Sequence, residues 1–195
     1  MDGIRMKKNQ NIIIFVSGSG SNMSRIISHF EENENISVSH VFSNKKDCLG
    51  IENAKKAGIE TVTFSKKELE NGEIGQLLNK IDPDLIVLAG FLLKMPESIT
   101  QSFENKIVNV HPALLPNYGG KGMYGKHVHK AVIAAGEKKS GITFHYVNEN
   151  YDEGNIIEQY ECELTSADTV EDLQKKIQKL EHANFCTVIE KLLLN

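Results

Sequence analysis

Short, almost wholly apolar runs separated by helical patterns constrain this chain more than any other feature. Asn11–Val16 reads NIIIFV, Leu85–Ala89 reads LIVLA and Ile107–Val110 reads IVNV. A strand with one wet face alternates apolar and polar residues. A continuous β-branched run of this length instead suits a strand covered on both faces, as in a parallel sheet. After the first run, Asn22–Glu32 carries Met23, Ile26, Ile27 and Phe30 at helical spacing. Ile36–Phe42 reads as a second strand and Asp47–Ala57 as a second helix, stopped by Gly58. Thr61–Phe64 makes a third strand, and Gly72–Ile81 a third helix ended before Pro83. This alternation predicts a doubly wound, mostly parallel open α/β sheet with helices on both faces and right-handed crossovers. Further on, Val128–Ala135 reads as a helix, and Ile142–Val147 and Ile156–Glu163 as strands. A last helix runs over Val170–Leu194, with Thr169 and Asp172 in capping positions and Leu173, Ile177, Leu180, Val188 and Leu192 facing inward. With no repeat, low-complexity tract or linker, residues 1–195 read as a single domain.

In such a sheet, ligands collect beyond the carboxyl ends of the strands. Three strand ends carry suitable residues. Ser17–Asn22, SGSGSN, joins the first strand to the first helix, whose free N–H groups and positive dipole end suit an anion. A dinucleotide fingerprint needs a glycine where Met23 stands, and the Gly-Lys-Ser/Thr of a P-loop is missing. What remains fits one phosphate: Gly20 for close backbone approach, Ser21 and Asn22 for side-chain bonds. The alternative is that Ser21 or Asn22 merely caps the helix. Ala89–Pro96, AGFLLKMP, follows the fourth strand, and its Leu-Leu-Lys-Met wall suits a flat ring. Ile107–Gly122, IVNVHPALLPNYGGKG, puts Asn109 and His111 on one strand face, about 6–7 Å apart. Pro112 and Pro116 then fix the backbone. A polar strand end closed by a turn is the plainer alternative.

Two other stretches bear on chemistry. NYDEGN at 150–155 offers Asp152 and Glu153, and a carboxylate beside His111 would orient it and favour its imidazolium. His127 and His129, with His111, invite a metal reading, but no cysteine or carboxylate lies close enough in sequence to complete a set, so a hydrogen-bonded structural role is expected. His29, His40, His145 and His182 carry no local signal.

Charge and cysteine usage narrow the partners. A net charge of −4 argues against a surface that coats nucleic acid or a polybasic membrane patch. A phosphorylated small molecule needs only local donors. Cys48, Cys162 and Cys186 are scattered and odd in number, as reduced thiols of a cytoplasmic protein are. The start, MDGIRMKKNQN, is polar and unlike a signal peptide, and no segment approaches the roughly 20 apolar residues of a membrane span.

Taken in order from Asn11 to Leu194, these motifs resemble the phosphoribosylglycinamide formyltransferases of the folate-dependent formyltransferase family. The resemblance rests on VSGSGSN, VFSN at 41–44, LAGF at 88–91, NVHPALLP at 109–116, SGITFHYV at 140–147, YDEGNII at 151–157 and LEH at 180–182. It implies a Rossmann-like formyltransferase fold. It also implies transfer of a formyl group from 10-formyltetrahydrofolate, as cosubstrate, to the primary amine of glycinamide ribonucleotide in purine biosynthesis, without a metal. Asn109, His111 and Asp152 become the catalytic trio, Gly20, Ser21 and Asn22 hold the substrate phosphate, and Glu181 the ribose. Folate lies against Leu92, Leu93, Lys94, Met95, Asn109 and the 148–152 loop, with Lys67 at its tail. Leu93 stands where many members carry arginine, and the GGKGMYG insert at 119–125 is longer than in the commonest form. The implied partners are these two small molecules, with no nucleic acid and no membrane, in a monomer or homodimer. Within the family, a methionyl-tRNA formyltransferase would have a further tRNA-contacting domain and a basic surface. A formyltetrahydrofolate hydrolase would carry an extra N-terminal domain. Outside enzymes, a nucleotide-binding regulatory module is the alternative.

Overall fold

β1 (Gln10–Val16) takes the middle of the sheet because both of its faces are apolar. Ile12, Ile14 and Val16 pack to one side and Ile13 and Phe15 to the other, all at 0% exposure. The computed structural model describes residues 9–194, so the expectation that the first residues are no signal peptide falls largely outside it. Among the described residues, seven strands form one sheet in the order β3 (Glu60–Thr63), β2 (Ile36–Ser43), β1, β4 (Leu85–Leu88), β5 (Ile107–His111), β6 (Lys139–Tyr146), β7 (Ile156–Glu163). β1 to β5 pair in parallel, while β6 runs antiparallel to both β5 and β7. The predicted mostly parallel, doubly wound sheet is the one observed.

Helices cover both faces. α1 (Ser21–Phe30), α2 (Leu49–Lys56), α6 (Lys126–Ala134) and α7 (Val170–Leu194) share a core with Ile12, Ile14 and Val16. α3 (Lys66–Glu70), α4 (Glu73–Ile81) and α5 (Glu97–Ser102) share the other with Ile13 and Phe15. α3 and α5 were not legible in the apolar spacing. α3 has a complete capping box, Ser65 with Glu68, but buries only Leu69. α5 buries Ile99 and Thr100 alone, directly after Pro96. A helix of one turn or so shows no period to read. α7 is capped as expected, Asp172 N–H donating to Thr169 Oγ1 at 3.2 Å and Thr169 N–H to Asp172 Oδ2 at 3.1 Å.

The chain builds β1, β2 and β3 outward, then returns to set β4 on the opposite side of β1. The connections after β1 and β4 therefore leave the sheet in opposite directions and open a crevice between them. β5 lies next to β4, so the three predicted strand ends are neighbours.

Candidate active site

At those ends lies a cleft of about 690 Å³. Its first wall is the loop into α1. Gly20 adopts the left-handed conformation, φ 71°, as the residue before the helix. A β-carbon there would sit 2.9 Å from Gly50 Cα, so the close approach of this loop to the first turn of α2 requires glycine. No side chain caps α1. Ser21 and Asn22 are thus not used as helix caps, which removes the plainer alternative for them. Asn22 Nδ2 instead donates to Glu181 Oε2 on α7 at 2.8 Å. Asn22 Oδ1 stays buried with no hydrogen-bond partner among the described residues. Burial pushes the Glu181 carboxyl up, against the opposing effect of the Asn22 bond. Ser17 joins this wall to the next, its N–H donating to Gly90 O at 3.0 Å while its Oγ accepts from Leu92 N–H at 3.0 Å.

The floor is the end of β5. Asn109 and His111 both line the cleft, and register sets His145 of β6 opposite Asn109 and Thr143 opposite His111. Partners decide the ring states. The Tyr146 carbonyl, 2.8 Å from His145 Nδ1, can only accept, so Nδ1 carries the proton. His145 Nε2 is then free to accept from Asn109 Nδ2 at 3.1 Å. Burial holds His145 protonation down, with the Tyr146 carbonyl and the Asp152 charge opposing it. By the same logic, His111 Nε2–H donates to Tyr118 O at 2.8 Å. That leaves His111 Nδ1, 3.4 Å from Asp152 Oδ2, as the nitrogen available to reacting atoms.

Asp152 faces both rings. Its Oδ1 lies 3.6 Å from His145 Nε2, and its Oδ2 also accepts from Gly120 N–H at 2.9 Å. Burial alone would raise its carboxyl, but the facing His111 ring with its charge, and the Gly120 N–H, outweigh this and lower it. Asp152 is therefore a carboxylate beside a histidine, as expected from NYDEGN. Its backbone is left-handed, φ 57°, an uncommon state for a residue with a side chain. The neighbouring backbone fixes this loop: a β-carbon on Gly154 would lie 1.8 Å from Tyr146 O. Glu153 is exposed and does not line the cleft.

The proline loop is held from beneath. Thr143 Oγ1 donates to Ala113 O at 2.7 Å and accepts from Leu115 N–H at 3.0 Å and Gln159 Nε2 at 2.9 Å. Thr143 is wholly buried and fully satisfied. Leu115–Pro116 is a cis peptide.

Leu92, Leu93, Lys94 and Met95 all line the cleft, along with Asn148 and Tyr151 of the facing loop. Leu92 is 54% exposed while Met95 is buried in the core. The Lys94 ammonium lies 5.7 Å from the centre of the Tyr151 ring. Lys67 sits exposed on α3 and is not brought to the cleft. The insert places Gly120, Lys121, Gly122, Met123, Tyr124 and Gly125 along one side. His127 and His129 part company: His127 stacks edge-on against Tyr124, while His129 is buried in the cleft wall. His129 Nδ1 has no partner among the described residues, and burial, with the His111 charge, pushes its protonation down. No group of three or more His, Cys, Asp or Glu that could hold a metal occurs among the described residues.

His145 and Thr143 are the site residues that local sequence did not reveal. Their signal is the same-face spacing of Thr143 and His145 in ITFHY, which acquires meaning only once β6 is known to lie against β5.

Comparison with known proteins gives this arrangement a family. The sequence model of the formyl transferase family matches residues 10–189. The chain belongs to that family. Among formyl transferase relatives, a protein from Arabidopsis thaliana named phosphoribosylglycinamide formyltransferase, chloroplastic, is 40% identical over 189 residues, or 93% of this chain. The chain spans just under two thirds of that relative's length, 65%. The phosphoribosylglycinamide formyltransferase of Escherichia coli (strain K12) is 34% identical over 92% of this chain and 85% of its own length. A crystal structure of the phosphoribosylglycinamide formyltransferase from Anaplasma phagocytophilum superposes with a TM-score of 0.87 at 31% identity, covering 96% of this chain and 88% of that one.

Proposed function

We propose that this formyl transferase moves the formyl group of 10-formyltetrahydrofolate onto the primary amine of glycinamide ribonucleotide. The observation that carries the reading is the convergence of Asn109, His111 and Asp152 between an uncapped helix start and an apolar wall. The walls suit the two reactants. Gly20, Ser21 and Asn22 offer donors to a phosphate, with Glu181 beside them for ribose hydroxyls. Leu92, Leu93 and Met95 offer apolar surface to a pterin. Lys67 would meet only a folate tail that runs beyond the cleft.

The amine nitrogen attacks the formyl carbon, a C–N bond forms, and the carbonyl electrons move to oxygen. Asn109 donates one Nδ2 proton to His145, and its second is available to that oxygen. Fixed donors at a developing oxyanion are worth several kcal/mol. His111, protonated on Nδ1, adds positive charge, and Asp152 stabilises it. Collapse breaks the bond from the formyl carbon to folate N10. His111 Nδ1–H gives its proton to N10 as that bond breaks, and the proton released by the amine returns to Nδ1, directly or through a water held by Asp152. The loss and the gain of the proton balance.

The test is formyl transfer to glycinamide ribonucleotide, run beside its dephosphorylated form and a hydrolysis control. The reading expects transfer to the phosphorylated amine, far weaker transfer without phosphate, and little free formate. Formate release at the same rate with or without the amine would make the protein a hydrolase. No turnover of the folate at all would favour a regulatory binding module.

A further inference from the structure

Behind the phosphate loop, α1 and α7 enclose a second, shallower groove of about 390 Å³. Arg25 contributes from α1, and Lys175, Lys179 and His182 from α7, with Gln178 between them. Gln178 also lines the main cleft, so the groove adjoins the end bounded by Asn22 and Glu181. Arg25 lies one helical turn beyond Ser21, a rise of about 6 Å.

What sets this groove apart is that, among the described residues, its Arg25, Lys175 and Lys179 form no ion pair with any carboxylate. The adjacent Lys176 does, with Asp168 at 2.8 Å. α1 has no acidic residue. Each acid of α7 is engaged elsewhere. Glu171 pairs with Lys126, Asp172 is bonded to Thr169, Glu181 accepts from Asn22, and Glu190 meets His29. Asp172 does feel the Lys175 charge, but its carboxylate closes the helix cap. Lys175 and Lys179 are four apart on one helix face, a like-charge spacing that costs stability. His182 adds a buried Nε2 without a hydrogen-bond partner. In a chain of net charge −4, this is a local positive focus next to the cleft.

We propose that the groove is a docking site for a phosphate monoester dianion, which draws the phosphorylated substrate toward the SGSGSN end of the cleft. The proposal deepens the function above and rests on it for the identity of the dianion. Charge focused at a cleft mouth raises the local concentration of an oppositely charged substrate, and its reach is set by salt, about 10 Å at 0.1 M.

Two measurements test it. Inorganic phosphate is titrated at low ionic strength while the His182 imidazole is followed by NMR. Phosphate should move its resonances in the wild type and in Ser21→Ala/Asn22→Ala, and bind at least fivefold more weakly to Arg25→Gln/Lys175→Gln/Lys179→Gln. Steady-state kinetics with glycinamide ribonucleotide should show kcat/KM of the triple variant down roughly tenfold at low salt, with kcat unchanged and the gap closing at high salt. The proposal is overturned if phosphate leaves His182 unmoved, if it binds the triple variant as it does the wild type, or if the response disappears with Ser21→Ala/Asn22→Ala. A kcat/KM loss that ignores salt also overturns it, as does a γ-linked oligoglutamate that moves His182 where phosphate does not. Wild-type protein that binds phosphate at His182 yet transfers no formyl group would sink the functional reading and leave the groove standing.

Discussion

Both ring nitrogens of His111 have assigned tasks. Nε2 is tied to the Tyr118 carbonyl and Nδ1 faces Asp152 across 3.4 Å. That distance is long for a made hydrogen bond, as is common where the substrate completes the geometry. Replacing the ring removes the proposed proton carrier while leaving the SGSGSN loop and the apolar wall in place. His111→Ala is expected to lower kcat at least a hundredfold with KM changed less than a few-fold. Steady-state kinetics decide it, and a kcat within a few-fold of wild type would make His111 structural. His145 acts one step back, as a positioning residue for Asn109. A neutral Nε2 that accepts from Asn109 fixes which end of the amide is a donor toward the cleft. His145→Leu removes that acceptor, and kcat should fall roughly tenfold with KM little changed. His145→Gln restores an acceptor and should recover most of the loss. Equal rates for the two variants would remove the positioning role.

At the scale of elements, β6 connects the strand carrying His111 with the proline loop. Thr143 satisfies three groups at once, and its hydroxyl alone joins Leu115 N–H, Ala113 O and Gln159. Thr143→Val keeps the shape and strands the buried Leu115 N–H. The expected cost is about 1–3 kcal/mol in stability, read from urea unfolding, with a fall in kcat as the loop loosens. An unchanged midpoint would mean the loop is held by its neighbours alone. What was legible divides along the same lines. NIIIFV declared β1 because both faces of a central strand are apolar, and Asn109 with His111 stood out because their spacing is local. The strand at Ile142–Val147 was legible too, but not its antiparallel course beside β5, because α6 intervenes and the connection fixes no partner. His145 therefore went unseen: its partner lies 36 residues away across a sheet pairing. Asn22 stands out in the local SGSGSN loop, whereas Glu181, 159 residues away, enters only through family resemblance. The direct bond between them is a finding of the fold. Lys67 shows the reverse case, a residue placed by resemblance that this fold leaves outside the cleft.

Across the whole molecule, buried ionisable groups give stability an acid-side slope that runs through the active site. His129 and His145 are held below the usual histidine range, chiefly by burial. The unfolded chain then binds protons at these positions before the folded one does. Their contribution is complete above the ordinary histidine value, about 6.5, and is lost as pH falls toward the folded values. Asp152, lowered in the fold, adds a second loss further down, below the ordinary aspartate value of about 4. Glu181, raised by burial, has the opposite sign: its folded form holds a proton longer, so it favours folding at low pH and costs stability as pH rises. The histidine window is separable from both carboxylates because it lies at higher pH. His129 is the clean probe, since its Nδ1 has no partner among the described residues and it stands outside the proposed catalytic trio. His129→Leu substitutes an apolar side chain that does not titrate. The wild-type urea midpoint should fall between pH 7.5 and pH 5, and that of His129→Leu should fall by less. The wild type should lose ground relative to the variant as pH drops, because the variant has lost a group that must be charged on acid unfolding. Parallel midpoints across that range would show that His129 takes up its proton as easily in the fold as in the open chain, and the burial argument for the cleft wall would fail with it.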